Sequence, residues 1–418
     1  MNRRHAKKSP PAAEVELEAE SVGARGDAIA QGPVYVPGLL PGERAIVEVR
    51  GERGRVKEIL SESPERVRPF CPIHERCGGC SLQHWAADAY RTWKRELVVT
   101  ALRREGVSGH VAPLLHAHGQ GRRRATLHAK RSGSDLVFGY TMRAGHAIVD
   151  AKDCPVAHGL IRKSFPALRN LADRLTPDRG QLDIAVTATD GGLDVSCAWP
   201  GEITLDHRLT AAELAAKEGW ARISLKAEPA AERTRPYVQF GRARVVPPPG
   251  GFLQATKAGE EALAERAMKA VRGAKRIADL YAGCGAFALR AAEFAPVLAV
   301  EGDPAPLAAL RHGADHTQGL KPVETRHRDL ALEPMSVKEL EPFDAVIMDP
   351  PRTGAKTQAE RLADSRVPVV VSISCNPATF ARDAAILIEG GYEMDTVTPV
   401  DQFAWTGHVE TIAAFRRR

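Results

Sequence analysis

The chain has 418 residues, 44% of them hydrophobic, and a formal net charge of +6, so it is too long for one ordinary core and two or three domains are expected. No run is long and apolar enough to span a bilayer, and the basic start, Met1 to Lys8, lacks the apolar segment of a secretory signal, so a cytoplasmic chain with no membrane partner is expected. Its seven cysteines then point to metal, cluster or catalytic thiols rather than a disulfide framework, and the positive charge is compatible with a polyanionic partner.

Residues 1–12 are polar and rich in Pro and Lys, and a disordered tail is expected there. Over 13–66 short alternating runs, Val15-Glu16-Leu17-Glu18 and Ala45-Ile46-Val47-Glu48-Val49-Arg50, are separated by the turn signals Gly26-Asp27, Pro37-Gly38 and Pro41-Gly42. They predict a small OB-like β-barrel of the kind that binds oligonucleotides. Next come Cys71, Cys77 and Cys80 in a C-x5-C-x2-C spacing, with Cys154 far along the chain. Four thiolates suit an iron–sulfur cluster or a structural zinc, and a compact triplet with a remote fourth ligand favours the cluster. The rest of 67–250 mixes helix and strand. It carries the alternating basic stretch Arg122-Arg123-Arg124-Ala125-Thr126-Leu127-His128-Ala129-Lys130, whose cations would line one face of a strand and meet phosphates. Cys197 reads as structural.

Pro247-Pro248-Pro249-Gly250-Gly251 marks the last boundary. Phe252-Leu253-Gln254 then leads into an amphipathic helix with Leu263, Ala267, Met268 and Val271 on one face. The pattern after it is strand (Ile277 to Tyr281), glycine turn (Gly283, Gly285), helix, and strand (Val297 to Glu301), a doubly wound α/β nucleotide-binding unit over 251–418. Glu301 ends its strand where an acid can hold the two hydroxyls of a ribose. The turn lacks both the third glycine of a dinucleotide fingerprint and the Gly-Lys-Ser/Thr of a P-loop. A ribose-containing cofactor without pyrophosphate, S-adenosylmethionine, explains both absences. Two further buried strands end in Asp349-Pro350-Pro351-Arg352 and in Ser374-Cys375-Asn376-Pro377, at the sheet edge where ligands bind.

A thiol beside a methyl donor has a specific use. Addition of a thiolate to C6 of uracil turns the poorly nucleophilic C5 into an enolate carbon, and a base must afterwards remove the C5 proton. Glu410, opening the last strand, is the candidate base, with His408 as competitor, and the Gln254 amide could read the uracil edge.

The ordered set Cys71-x5-Cys77-x2-Cys80…Cys154, Phe252-Leu253-Gln254, Asp279-Leu280-Tyr281-Ala282-Gly283-Cys284-Gly285, Asp349-Pro350-Pro351-Arg352, Ser374-Cys375-Asn376-Pro377 and His408-Val409-Glu410 resembles the iron–sulfur-containing RNA uracil-C5 methyltransferases over nearly the whole chain. The resemblance implies a class I, Rossmann-like methyltransferase domain preceded by a TRAM-type OB barrel and an α+β central RNA-binding domain with a [4Fe-4S] cluster on Cys71, Cys77, Cys80 and Cys154. It implies Cys375 as nucleophile, Glu410 as the base for the C5 proton and Asp349 as a polar partner in the target pocket. Gln254, Tyr281, Gly283, Gly285, Glu301, Asp329 and Asp349 are implied as contacts to S-adenosylmethionine, Gln254 touching cofactor or base. Ala286 departs from the family, where Asn is usual, and removes one side-chain hydrogen bond from the pocket. The implied substrate is ribosomal RNA, 23S in particular, with transfer RNA as the alternative, and a monomer is expected. A non-catalytic RNA-binding or redox-sensing iron–sulfur protein is the reading from another class.

Overall fold

The structure, a computed structural model, describes residues 12–418 apart from Ala144 and Pro200. The tail expected over 1–12 lies, but for its last residue, outside the described residues. The chain divides into two compact units. One runs up to Lys94 and includes Met142–Gly145 and Trp405–His408; the other comprises Arg95–Thr141, His146–Ala404 and Val409–Arg418.

In the first unit, β1 (Ala13–Val22), β2 (Asp27–Ala30), β3 (Val34–Pro37), β4 (Arg44–Arg50) and β5 (Arg53–Ser61) close into a barrel in the order β1-β2-β3-β5-β4. The predicted barrel is therefore present, and its period-two patterning does the work. Val34 and Val36 of β3, Ala45 and Val47 of β4, and Ala19 and Ala28 fill the interior, while the residues between them face outward. Glu43 is fully buried at the barrel's end. It accepts from Arg66 Nε at 2.5 Å and Nη2 at 2.6 Å and from the Leu40 amide at 2.8 Å, so its charge is matched on both oxygens. Beyond the barrel an irregular segment carries Cys71, Cys77 and Cys80 and leads into α1 (Ala87–Arg104). Leu82, Trp85, Tyr90, Trp93 and Trp405 pack there with Val22 and Leu40 as a second small core.

The second unit holds two sheets. After β6 (Leu115–His116), the strands β7 (Arg124–Ser132), β8 (Asp135–Thr141), β9 (Ile148–Asp150), β10 (Gln181–Thr189), β11 (Gly192–Ala198), β12 (Arg222–Leu225) and β13 (Glu228–Glu232) form a sheet in the order β13-β12-β11-β10-β7-β8-β9. Helix α2 (Gly159–Leu175) lies on it through Ile161, Phe165, Leu168, Leu171 and Leu175, a helical stripe, and α3 (Leu205–Glu218) packs beside it. A hairpin, β14 (Val238–Phe240) and β15 (Ala243–Val245), and α4 (Lys257–Ala270) lead to the second sheet.

That sheet is built from β16 (Ile277–Leu280), α5 (Ala288–Ala291), β17 (Val297–Glu301), α6 (Pro304–Asp315), β18 (Val323–His327), α7 (Val337–Leu340), β19 (Ala345–Met348), α8 (Lys356–Ala363), β20 (Val369–Ser374), α9 (Pro377–Glu389), β21 (Tyr392–Met394), β22 (Thr398–Asp401) and β23 (Glu410–Arg417). Its order is β18-β17-β16-β19-β20-β23-β22-β6, with β21 also on β23. β16 to β20 are parallel, and β23 runs antiparallel to β20. The central strands are apolar on both faces because helices cover both. Ile277, Ala299, Ile347 and Val371 enter one core, and Ala278, Leu280, Leu298, Val346 and Val370 the other.

The basic stretch before and within β7 corrects one expectation. Arg123 is 5% exposed and paired with Glu260 of α4, and Arg122 donates to the Ala404 carbonyl at 2.8 Å. Arg124 lies over the Phe252 ring at 5.3 Å, Arg131 pairs with Asp173, and His128 with Asp183. These cations mostly bind the protein to itself; Lys130 stays exposed.

Glu260 is the anion between two guanidinium groups, Arg123 and Arg290, the latter at 2.8 Å. Removing one partner of a buried pair leaves the remaining charges uncompensated. Glu260→Ala should therefore destabilise the fold by roughly 3 kcal/mol, read as a lower thermal midpoint; an unchanged midpoint would show that the network contributes nothing net.

Candidate active site

The site residues lie at the carboxyl ends of the parallel strands. At the end of β16 the chain turns sharply: Tyr281, Gly283 and Gly285 all have positive φ, at 63°, 54° and 92°. Gly285 is required twice over, since a Cβ there would meet Leu310 at 2.7 Å. Gly283 is different, because a Cβ would meet no atom within 4 Å, so its surroundings leave room for a ligand to approach the backbone. The Gly283 amide donates to Glu301 Oε2 at 2.8 Å and the Asp303 amide to Oε1 at 2.8 Å, which fixes the Glu301 carboxylate beside the turn. Asp329, just past β18, accepts from the Ala331 amide at 2.9 Å and is exposed. Its charge and that of Asp383 follow burial as causes that push the Tyr281 hydroxyl up to about 12. Beneath the turn Asp279 is completely buried. Burial, then the charges of Asp349 and Glu301, push it well above its ordinary carboxylate value, with the Ala288 amide opposing.

On the next two strands the chemistry gathers. Pro350 and Pro351 end β19 because neither offers an N–H to continue the ladder. Asp349, the residue before them, accepts from Gln254 Nε2 at 2.8 Å. Burial pushes its carboxyl up to about 7, with the Gln254 bond opposing. Cys375 is the single residue between Ser374, the end of β20, and Asn376, the N-cap of α9. The Asn376 side chain accepts from the Ala378 amide at 3.1 Å and Pro377 occupies the first helical turn. Asn376 Nδ2 also donates to the Arg352 carbonyl at 3.0 Å, tying the Asp-Pro-Pro-Arg loop to the cysteine loop.

The register of β20 against β23 brings in the last group. Ser374, the last residue of β20, pairs with Thr411, so Cys375 and Glu410 are the next residues along the two strands at this edge. Glu410 is 4% exposed. Burial is the first cause pushing the Cys375 thiol up to about 11, followed by the Glu410 charge and, more weakly, Asp349; the Arg352 guanidinium, also hydrogen-bonded to the thiol, opposes them. A thiol, two carboxylates and a cation thus share one corner.

Of the residues singled out in the sequence, Gln254, Asp349, Cys375 and Glu410 form one group, and Tyr281, Gly283, Gly285, Glu301 and Asp329 line the edge beside it. His408, the competing base, belongs to the other compact unit. Sequence reasoning missed Gln402, which is fully buried and donates through Nε2 to Gln254 Oε1 at 2.6 Å. It also missed Arg352 as a partner of the thiol. A glutamine eight residues before Glu410 carries no motif, whereas Arg352 was legible as the residue after Asp-Pro-Pro.

For the cysteine group, Cys77 and Cys80 are buried, Cys71 is half-buried, and the Gly79 amide donates to Cys77 Sγ at 3.4 Å. Amide-to-sulfur bonding of this kind suits a thiolate bound to iron. Cys154 belongs to the second unit, and among the described residues no three His, Cys, Asp or Glu side chains converge as a metal-binding group. The thiols of the first unit, with an amide bonded to one of them, have the donor chemistry of a cluster. Cys197 is buried and its thiol pushed up to about 12, in keeping with a structural residue.

Comparison with known proteins gives this geometry its context. Residues 247–418 match the family model described as tRNA (Uracil-5-)-methyltransferase. An uncharacterized RNA methyltransferase of Brucella suis is 44% identical over 405 residues, covering 96% of this chain and 98% of the relative. A 23S rRNA (uracil(1939)-C(5))-methyltransferase of Chromohalobacter salexigens is 33% identical over 427 residues, covering 96% of this chain and 89% of that one. Among solved structures, the Pyrococcus abyssi tRNA (uracil-54, C5)-methyltransferase in complex with S-adenosyl-L-homocysteine shares the fold, with a TM-score of 0.75 and 22% identity over 96% of this chain and 100% of that one. The chain belongs to the RNA uracil-C5 methyltransferase family and is an S-adenosylmethionine-dependent RNA methyltransferase.

Proposed function

We propose that the chain methylates C5 of one uridine in 23S rRNA through a covalent bond between Cys375 and C6 of the flipped base. The observation that carries this reading is the pairing of β20 with β23, which brings Cys375 and Glu410 to one edge with Asp349 and Arg352 beside the thiol. The Cys375 thiol must lose its proton as sulfur attacks C6. Asp349, with a carboxyl pushed up to about 7, is a base of suitable strength nearby. Addition at C6 places negative charge on the O4–C4–C5 unit and makes C5 nucleophilic. S-adenosylmethionine, whose ribose Glu301 would hold between the Gly283 and Asp303 amides, supplies an electrophilic methyl group. Glu410 then takes the C5 proton; the C–H electrons restore the C5=C6 bond as the C6–S bond breaks, and the thiolate returns. The target base has to leave its stack for C6 to be reached.

The ribosomal assignment is supported by the 33% identity, over nearly the full chain, to the Chromohalobacter enzyme that carries that activity in its name. Transfer RNA is the second reading, favoured by the shared fold with the Pyrococcus enzyme. Mass mapping of both RNA classes from a deletion strain separates them: a uridine that loses its C5 methyl in 23S rRNA supports the first, one lost only in tRNA the second. Within the same proposal the protein acts in the cytoplasm as a monomer, and Cys71, Cys77, Cys80 and Cys154 hold a structural [4Fe-4S] cluster. Their spacing, the burial of two thiols and the Gly79 amide support the cluster. Anaerobically purified protein should contain iron and acid-labile sulfide and lose both in Cys80→Ser but not in Cys197→Ser; iron-free wild type would end the cluster assignment.

Cys375→Ala should abolish methylation and the adduct with 5-fluorouridine-containing RNA, whereas Glu410→Gln should trap an adduct on natural RNA. An active Cys375→Ala enzyme would rule the mechanism out. Arg352 opposes the upward push on the thiol, so Arg352→Met raises the thiol further and lowers the thiolate fraction near neutrality. Its rate of adduct formation at pH 7 should fall by about tenfold and recover as the pH is raised, a profile that a purely structural loss would not show.

A further inference from the structure

Gln254 can face Asp349 in two ways. Its amide has a donating and an accepting end of nearly the same shape, and the end that meets Asp349 decides whether the acid is held as an acceptor or a donor. A hydrogen-bonded chain settles this. It begins at the Thr256 backbone N–H, which can only donate and does so to Gln402 Oε1 at 3.4 Å. Gln402 must therefore present its NH2 to the next group, and Nε2 donates to Gln254 Oε1 at 2.6 Å. Gln254 in turn presents its own NH2, and Nε2 donates to Asp349 Oδ2 at 2.8 Å. Every polarity along the chain follows from the first donor.

The ends of this chain are held firmly. Thr256 is the N-cap of α4; its hydroxyl accepts from the Gly259 amide at 2.9 Å and donates to the Ala117 carbonyl at 2.6 Å. Gln402 is fully buried and packs so close to α4 that a Cβ at Gly259 would sit 2.7 Å from Gln402 Cβ. The Gln254 carbonyl accepts from Arg123 Nε at 2.9 Å, which anchors its backbone. A buried amide with both ends engaged cannot reverse without losing two hydrogen bonds in a low-dielectric setting.

We propose that Gln402 is a positioning residue that fixes the orientation of Gln254 and so holds Asp349 as a hydrogen-bond acceptor facing the target base. The inference rests on the reading of this corner as the uracil pocket. An acceptor suits the ring N3–H of uracil and is repelled by the N3 lone pair of cytosine, so the relay contributes to choosing a uridine over a cytidine. The charged and titratable groups around the relay are Arg123 on the Gln254 carbonyl, Asp349 at its end with Cys375, Glu410 and Arg352 in the same corner and Asp279 beside it, and buried Asp401, which faces His118 at 3.4 Å.

The experiment compares the full-length enzyme with Gln402→Met, similar in volume but unable to hydrogen-bond through an amide, and with Gln402→Glu, an acceptor at both oxygens when ionised. The substrate is total RNA from a strain lacking this enzyme, with tritiated S-adenosylmethionine, and kcat/KM is measured from pH 6 to pH 8.5. Gln402→Met should lose about tenfold, one directing hydrogen bond. Gln402→Glu should lose more at pH 8.5, because its carboxylate forces Gln254 to reverse and turn its carbonyl on Asp349. It should recover toward or above the Met variant at pH 6, where a protonated Glu donates as Gln402 does. Equal losses in both variants at every pH, or a fully active Gln402→Glu, would overturn the proposal. If Gln402→Glu does not fold, a cycle between Gln402→Met and Asp349→Asn decides: the double variant should be no worse than Asp349→Asn alone, and multiplying losses would overturn it. Wild type that leaves uridine unmethylated would defeat the uracil reading itself, and that outcome is distinct from both.

Discussion

The antiparallel pairing of β23 with β20 is the constraint on which the site depends. Five parallel strands deliver their carboxyl ends, and the loops after them, to one edge of the sheet. A sixth parallel strand could only have offered another loop there. A reversed strand instead enters the edge with its first residue, so Glu410 is presented by rigid backbone rather than by a loop. The side-chain period of two makes the geometry unforgiving. A slip of one residue in this pairing would turn Glu410 to the opposite face of the sheet, away from Cys375. The fully apolar run Ile412, Ala413, Ala414 and Phe415, split between the two cores, opposes such a slip because it too would exchange faces.

A second layer of order comes from buried polar groups paired across long stretches of sequence. Arg123, Glu260 and Arg290 form a charge-alternating row, and the same Arg123 reaches the Gln254 carbonyl. Buried ion pairs add little net stability compared with apolar packing, but their directionality specifies geometry. Here the row connects the start of β7 with α4 and α5, so the segment that bears Gln254 is set by charge as well as by packing. Asp279 stands apart: a fully buried acid pushed well above its ordinary carboxylate value by burial, with the Ala288 amide opposing.

Much of this was legible in the sequence, and what was missed has a physical reason. Alternation in β3 and β4 announced the barrel, and uniformly apolar runs such as Val297 to Val300 announced strands covered on both faces. Local turn chemistry placed Gly283, Asp349 and Cys375 at strand ends, because Gly, Pro and Asn constrain backbone wherever they occur. Long-range partners left no such mark. Arg123 looked like a surface cation for phosphate because an arginine in a basic run has the same local signature whether it meets RNA or Glu260, 137 residues away. Gln402 was silent for the same cause: its partners, Thr256 and Gln254, lie 146 and 148 residues away. The number of strands between two motifs, not their spacing, decides whether they meet.

The electrostatics of the corner carry a further consequence for how the thiol works. A cysteine at a helix N-terminus beside a guanidinium is normally driven toward thiolate. Cys375 has both neighbours, yet burial and the facing carboxylates outweigh them and the thiol stays protonated. A standing thiolate would be exposed to oxidation and would repel Glu410 at close range. Keeping the proton on sulfur until a base enters avoids both, provided the proton has somewhere to go at that moment. Asp349 is suited to receive it while ionised; burial pushes its carboxyl up to about 7, and the Gln254 amide opposes that rise. In the proposed mechanism, readiness of the nucleophile is thereby tied to the orientation of a single glutamine, which makes a buried hydrogen-bond chain part of the chemistry as well as of the packing.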